Sequence, residues 1–145
     1  MAALDDALKR TYFATSSPEY LNTDTFKADL ADHVTKRFGL FSSSVVPWIK
    51  RHVGDISRHL VVEIGSGTGS STAAIAPHVG RIDTFEINER SVVAAEARAK
   101  ILGYSNVSHH RCLFDAKQAA KLAPLDGVFL AAVLEHCTLD EPRPA

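Results

Sequence analysis

Two cysteines, Cys112 and Cys137, are all that the 145 residues contain, and no Cys-x-x-Cys spacing joins them. Nothing here asks for a disulfide framework, and both thiols read as ordinary intracellular side chains, mostly small buried hydrophobes. An excess of one charge is also missing. Sixteen Lys and Arg face seventeen Asp and Glu, for a net charge of -1, and there is no Lys/Arg run. Recognition of nucleic acid normally needs a basic face, so no nucleic-acid partner is indicated. Long apolar runs are absent as well. The longest, Val128 to Leu134, falls far short of the roughly 20 residues that a membrane helix needs. Met1 to Arg10 carries two aspartates and no apolar stretch, so it does not read as a secretory signal. The expected location is cytoplasmic, with no membrane partner. No internal repeat or low-complexity tract is visible, and the apolar share of 46% suffices for a hydrophobic core without metal or disulfide staples.

What is present divides near residue 57. The first part, 1–57, reads as an N-terminal helical cap. Leu4, Leu8 and Tyr12 recur every four residues. Ser16-Ser17-Pro18 breaks that pattern. A second helix starts after Thr23 or Asp24, carries Phe26, Leu30, Val34 and Phe38 on one face, and is expected to end at Gly39. A third is expected from Ser44 through His52, with Pro47 in its first turn and Gly54 after it. Phe26, Phe38 and Trp48 are expected as core contacts of this cap.

From 58 to 145 the pattern changes. Leu60-Val61-Val62-Glu63-Ile64 reads as a strand buried on both faces, followed by the loop Gly65-Ser66-Gly67-Thr68-Gly69-Ser70-Ser71 and a helix from Thr72 to His78. A second strand fits Arg81 to Glu86. Asn88 caps a helix that ends at Gly103, with Val93, Ala97 and Ile101 along one face. A third strand, Val107 to Cys112, is polar enough to belong at a sheet edge. A short helix, Ala116 to Ala123, leads to a fourth strand, Gly127 to Val133. Alternating strands and helices predict an α/β fold with a Rossmann-like doubly wound parallel sheet of four strands, order 3-2-1-4, preceded by the N-terminal helices.

The informative stretch is Val61-Val62-Glu63-Ile64-Gly65-Ser66-Gly67-Thr68-Gly69. It resembles the first motif of the class I S-adenosylmethionine-dependent methyltransferases, apolar-apolar-acid-apolar-Gly-x-Gly-x-Gly. The physics suits that cofactor. The glycines allow close backbone approach and positive φ. The loop follows a buried strand, where open α/β sheets bind ligands, and runs into a helix N-terminus that favours a carboxylate. Glu63 offers a negative charge suited to the methionine ammonium, directly or through water. Glu86 ends the second strand, 21 residues after Gly65, where an acid can accept from both ribose hydroxyls.

The resemblance further implies that Ile87 packs on the adenine, that Asp115 in Leu113-Phe114-Asp115-Ala116 accepts from the adenine amine, and that Ala132-Val133-Leu134-Glu135-His136 borders the methyl group. The implied cofactor-binding set is Glu63, Gly65, Ser66, Gly67, Gly69, Glu86, Ile87, Phe114, Asp115 and Val133. His136 is a candidate general base, though a helix-entry role serves it equally well. Asp115 also has a sufficient structural reason as an N-cap. Glu63 and Glu86 could in turn be solvated strand-end acids.

The rival dinucleotide fingerprint G-x-G-x-x-G would need glycine at position 70, which is Ser70, and no Gly-Lys-Ser/Thr makes a P-loop. His109 and His110 are neighbours on a strand and point to opposite faces, so no metal site is expected from them. The family fold has seven strands, and four are visible here. The expectation is therefore a chain incomplete at its C-terminus, with doubtful activity of its own, or one whose apolar fourth-strand edge is covered by a partner or a second copy. The expected function is methyl transfer to a small-molecule substrate. The alternative is a nucleotide-binding remnant without catalysis.

Overall fold

A computed structural model describes residues 2–122, 124–131 and 133. His136 and Cys137 lie outside the described residues. The helix α1 (Ala2–Arg10) buries Leu4 and Leu8, and α2 (Pro18–Leu21) follows the break at Ser17, whose hydroxyl accepts from the Tyr20 N–H. The Thr23 hydroxyl caps α3 (Asp24–Ala31), accepting from the Phe26 N–H at 3.0 Å.

From there the structure departs from the sequence reading. Gly39 does not end the helix. Residues 24–53 form one continuous rod in which α3, α4 (Arg37–Leu40) and α5 (Val46–Val53) are joined by two wide π turns, Asp32–Lys36 and Phe41–Val45. Gly39 stays out of the left-handed conformation that terminates helices, whereas Gly54 adopts φ 92 and closes the rod. Pro47 explains the second wide turn. It lacks an N–H, and its ring needs room at the carbonyl four residues back, which an expanded turn supplies.

The wide turns also rotate the apolar stripe. Phe26 and Val34 are buried as expected, but Phe41 and Val46 then take over the core positions. Phe38 and Trp48, expected in the core, lie 37% and 59% exposed, with Trp48 resting on the His52 ring at 4.7 Å.

The sheet is parallel, ordered β3-β2-β1-β4, from β1 (Leu60–Ile64), β2 (Arg81–Phe85), β3 (Val107–His110) and β4 (Gly127–Leu130). Glu63 is level with Thr84 on one side and Phe129 on the other, so the C-terminal ends of β1, β2 and β4 finish together. Strand order reverses beside β1, which is where such sheets open a ligand crevice. The polar third strand is at the edge, as its composition predicts. Its polarity has a further cause, because β2 buries Asp83 and Thr84. His110 Nε2 pairs with Asp83 at 2.7 Å, and His109 Nδ1 with the Thr84 hydroxyl at 2.7 Å.

Two helices connect the central strands, α6 (Ser70–Ile75), extended by a 3-10 turn to His78, and α7 (Glu89–Leu102). Asn88 caps α7, accepting from the Ser91 N–H at 3.2 Å. The expected apolar face of α7 is the wrong one, since Val93 and Ile101 are 44% and 43% exposed. The buried side is Ser91, Val92, Ala94, Ala95 and Arg98. Contact distance decides this. The Ala95 Cβ comes within 3.0 Å of where a Cβ on Gly69 would stand, and only small side chains permit that approach.

The helix α8 (Ala116–Leu122) precedes β4. One apolar cluster joins Phe41, Val46 and Ile56 to Ala74, Ile75, Val79 and Ile82, so the rod and the sheet layer share a core. A second cluster packs Leu4, Leu8, Phe13, Phe26 and Val34 against Ala94 of α7. No described helix is long and apolar enough to cross a membrane.

Candidate active site

The loop after β1 turns sharply across the end of the sheet. The Gly65 N–H donates to the Phe85 carbonyl at 2.8 Å, and Gly65, Gly67 and Gly69 have φ of 70, 53 and 75. At Gly65 the requirement is double, since a Cβ would also stand 2.4 Å from Cγ2 of Val133. The Gly67 N–H donates to Oε2 of Glu86 at 3.0 Å, and the Asn88 N–H to Oε1 at 2.8 Å. The loop and the acid one strand over therefore share one crevice, and the carboxylate is held in place by two backbone donors. Each carboxylate oxygen keeps a lone pair for a further donor. A Cβ on Gly67 would meet nothing within 4 Å, so the middle of the loop faces open space. Beside it Ser66 is 3% exposed, and its hydroxyl has no hydrogen-bond partner among the described residues.

Glu63 lies beneath this loop rather than in the open crevice. It is 1% exposed, and its two oxygens accept from the hydroxyls of Ser71 and Thr72 in the first turn of α6. Burial pushes its carboxyl up to about 7, against the opposing pull of those hydroxyls and of Arg37. At neutral pH the group is thus poised between its charged and neutral forms. Ser71 and Thr72 went unrecognised in the sequence. An acid two residues before a Gly-rich loop and two hydroxyls opening the next helix are the signal that pairs them.

The rod reaches the same loop. His33, within the first wide turn, places Nδ1 3.1 Å from the Thr68 hydroxyl, and its carbonyl accepts from the Ser70 hydroxyl and from Nη2 of Arg98. Burial holds the His33 imidazole below its ordinary pKa, consistent with a neutral ring against Tyr12 and Phe13. Arg98 is 2% exposed, and desolvation brings it down to about 10. Three elements far apart in sequence thereby fix the second half of the Gly-rich loop. π turns recur at functional sites because they free backbone groups for such contacts.

At the far side, Phe114 packs edge-on against Phe85 at 4.8 Å. Asp115 caps α8 by accepting from the Gln118 N–H at 2.8 Å, and it is solvent-exposed. Ile87 and Leu113, on the loops after the adjacent strands β2 and β3, are 66% and 72% exposed. Leu113 was not singled out in the sequence, although an apolar residue in a strand-end loop marks it. No cluster of His, Cys, Asp and Glu able to hold a metal occurs among the described residues.

No family model matches the chain. Among solved structures it superposes on magnesium protoporphyrin IX methyltransferase from Synechocystis, solved with bound S-adenosylmethionine. The TM-score is 0.60 at 22% identity, over 83% of this chain and 62% of that one. A protein-L-isoaspartate O-methyltransferase structure aligns at TM-score 0.51 and 26% identity, over 60% of this chain and 28% of that one. The chain has the class I methyltransferase fold. Curated relatives agree. A protein-L-isoaspartate O-methyltransferase from Roseiflexus castenholzii is 34% identical over 73 residues, which is 50% of this chain and 33% of that protein. A tRNA/tmRNA (uracil-C(5))-methyltransferase from Idiomarina loihiensis is 26% identical over 121 residues, 81% of this chain and 33% of that protein. The chain thus spans about a third of the length of these curated relatives. The neighbours of this methyltransferase fold are S-adenosylmethionine-dependent enzymes whose named acceptors range from RNA to protein to porphyrin.

Proposed function

We propose that the crevice between the β1 loop and the end of β2 binds S-adenosylmethionine and that the chain takes part in methyl transfer to a small-molecule acceptor. The observation that carries this reading is the 3.0 Å bond between the Gly67 N–H and Glu86, which brings the Gly-rich bend and the strand-end acid together. The residues present fit the cofactor. Glu86 has acceptor capacity for the ribose hydroxyls. The buried Ser66 hydroxyl, in the same bend, lacks a partner among the described residues. Ile87, Phe114 and Leu113 offer apolar surface for a purine, with Asp115 nearby in sequence for its amine. Glu63 serves by holding the first turn of α6, whose N–H end favours the methionine carboxylate.

When bound, the cofactor supplies an electrophilic methyl group on a sulfonium. The protein's part is orientation and exclusion of water. Val133, packed over Gly65, stands at the exit of the crevice beside the end of β4. The divergent acceptors of the relatives leave the acceptor of this chain to its own surface. Its near-neutral charge favours a small molecule over RNA.

Isothermal calorimetry with S-adenosylhomocysteine tests the reading. Saturable binding is expected, and Glu86→Gln should weaken it tenfold or more, the value of a lost charge-assisted bond of about 1.5–3 kcal/mol. No binding by a folded sample would refute it. Binding without transfer of a radiolabelled methyl group to any offered acceptor would instead support a non-catalytic nucleotide-binding module.

A further inference from the structure

A second opening adjoins the crevice. A cavity of about 510 Å³ lies between the rod and the end of β4, lined by Asp32, Lys36, Arg37, Leu40, Phe41 and Ala131. That volume falls within the range of small-molecule sites, roughly 300–1,000 Å³. Its position follows from the fold. Ala131 directly follows β4 and stands two residues before Val133, whose side chain covers Gly65. The cavity therefore opens at the same end of the sheet as the Gly-rich loop, on the β4 side, away from Glu86 and β2.

Its walls have a definite chemistry. Phe41 is buried in the core beneath it, while Leu40 is 58% exposed and leaves an apolar side chain on the cavity wall. Lys36 and Arg37 bring two positive charges and Asp32 one negative. Arg37 is half-buried, yet it forms no salt bridge or side-chain hydrogen bond with any described residue. Its charge acts on the buried Glu63 carboxyl, and its planar fork, which no hydrogen bond to a described residue takes up, is suited to a carboxylate or similar oxyanion. The wide turn Asp32–Lys36 sets this arrangement, because it turns the first residue after it, Arg37, toward the cavity while His33 on the same turn grips the loop.

We propose that this cavity seats the methyl acceptor, and that the acceptor is a small molecule with an apolar body and an acidic group held by Arg37. The inference rests on the methyltransferase reading above and narrows its substrate class. Leu40 and Phe41 supply the apolar wall, and Arg37, assisted by Lys36, supplies the anchor. Asp32 at the rim disfavours acceptors that carry a second negative charge nearby.

A matched pair of fluorescent probes tests this on the full chain. 8-Anilinonaphthalene-1-sulfonate carries an aromatic body and an anion, and N-phenyl-1-naphthylamine is its uncharged counterpart. The sulfonate probe should bind saturably, and Arg37→Gln should weaken it about tenfold, equivalent to about 1.4 kcal/mol. Adding Lys36→Gln should weaken it further. Binding of the uncharged probe should stay within twofold in both variants, and circular dichroism should show an unchanged fold. If both probes weaken equally, or neither weakens, the acidic-acceptor assignment is overturned. S-adenosylhomocysteine titrations of the same samples separate the two levels. Intact nucleotide binding without charge selectivity refutes the acceptor class alone. Charge selectivity without nucleotide binding refutes the methyltransferase reading, and the cavity's role as an acceptor site falls with it.

Discussion

Replacing Gly65 by alanine perturbs the site at its tightest point, and the structure divides the cost into two parts. The first is backbone strain. Gly65 has φ 70, and a non-glycine residue held there costs on the order of 1 kcal/mol or more. The second is steric. The new Cβ would stand 2.4 Å from Cγ2 of Val133, about 1 Å inside ordinary contact. Valine is β-branched with few alternative rotamers, so relief requires an off-rotamer side chain or a shifted strand end, about 1–2 kcal/mol. The expected total is about 2–3 kcal/mol, a large part of a typical folding stability but not all of it.

Gly103 provides the control. It has φ 74 and nothing within 4 Å of its missing Cβ, so Gly103→Ala should cost only the strain part, about 1 kcal/mol. Urea unfolding of Gly65→Ala, Val133→Ala and the double variant forms a mutant cycle that isolates the contact. The double variant should be about 1–2 kcal/mol more stable than the two single effects added together. A coupling below about 0.3 kcal/mol, or Gly65→Ala no costlier than Gly103→Ala, would refute the argument that Val133 sits on the loop.

Other expectations follow from the buried polar groups. The Glu63 carboxyl is raised to about 7 from 4.5, so the folded state holds a proton that the unfolded chain has lost between those values. Its contribution therefore favours folding at low pH and is lost as pH climbs from 4.5 through 7. Wild type relative to Glu63→Gln should lose about 3 kcal/mol across that window in pH-dependent urea unfolding, and a flat difference would contradict it. Burial brings His109 down to about 4 from 6.5, with the opposite sign. Stability gained as pH rises from 4 to 6.5 should partly mask Glu63 in the wild type and vanish in His109→Asn. Arg98→Ala removes a donor from the His33 carbonyl and leaves a void beside Gly69. It should cost about 2–4 kcal/mol and speed amide hydrogen exchange in residues 24–53, and an unaltered exchange pattern would show that the rod is held otherwise.

The strands and their order were readable because their signals are local and mutually consistent. Apolar runs ending in glycine, an Asn cap at Asn88 and alternating helices leave little choice of topology. The crevice was readable for the same reason, since loop and acid sit at fixed offsets on adjacent parallel strands. What escaped depends on distance in space. Gly39 looked like a stop because glycine often is one, but Pro47 downstream and packing against α6 favour a widened helix that runs on. Val93 and Ile101 looked like the inner face of α7, but the close approach of Ala95 to Gly69 turns Ser91, Val92, Ala94, Ala95 and Arg98 inward instead. Phe38 was assigned to the core on a uniform helical period, which the wide turns break, and Trp48 as an aromatic of the cap, where it lies 59% exposed on the His52 ring. The seclusion of Glu63 beneath its own loop depends on Ser71 and Thr72 turning inward, a pairing whose residues stand at readable offsets but whose burial is decided by the packing of α6 on the sheet.

The wide turns give the rod a phase that a plain helix would lack. An ordinary helix advances about 100° per residue, so each extra residue taken up in a widened turn re-aims everything beyond it. Between His33 at the loop and Val46 in the core, the chain uses this slack to satisfy two unrelated surfaces with one continuous element. Chain length there acts as a rotational vernier. Shortening the first bulge by one residue would swing Arg37 and Phe41 off their targets, and shortening the second would do the same to Val46, so the orientation of the cavity wall and core is encoded by residue count as much as by residue type.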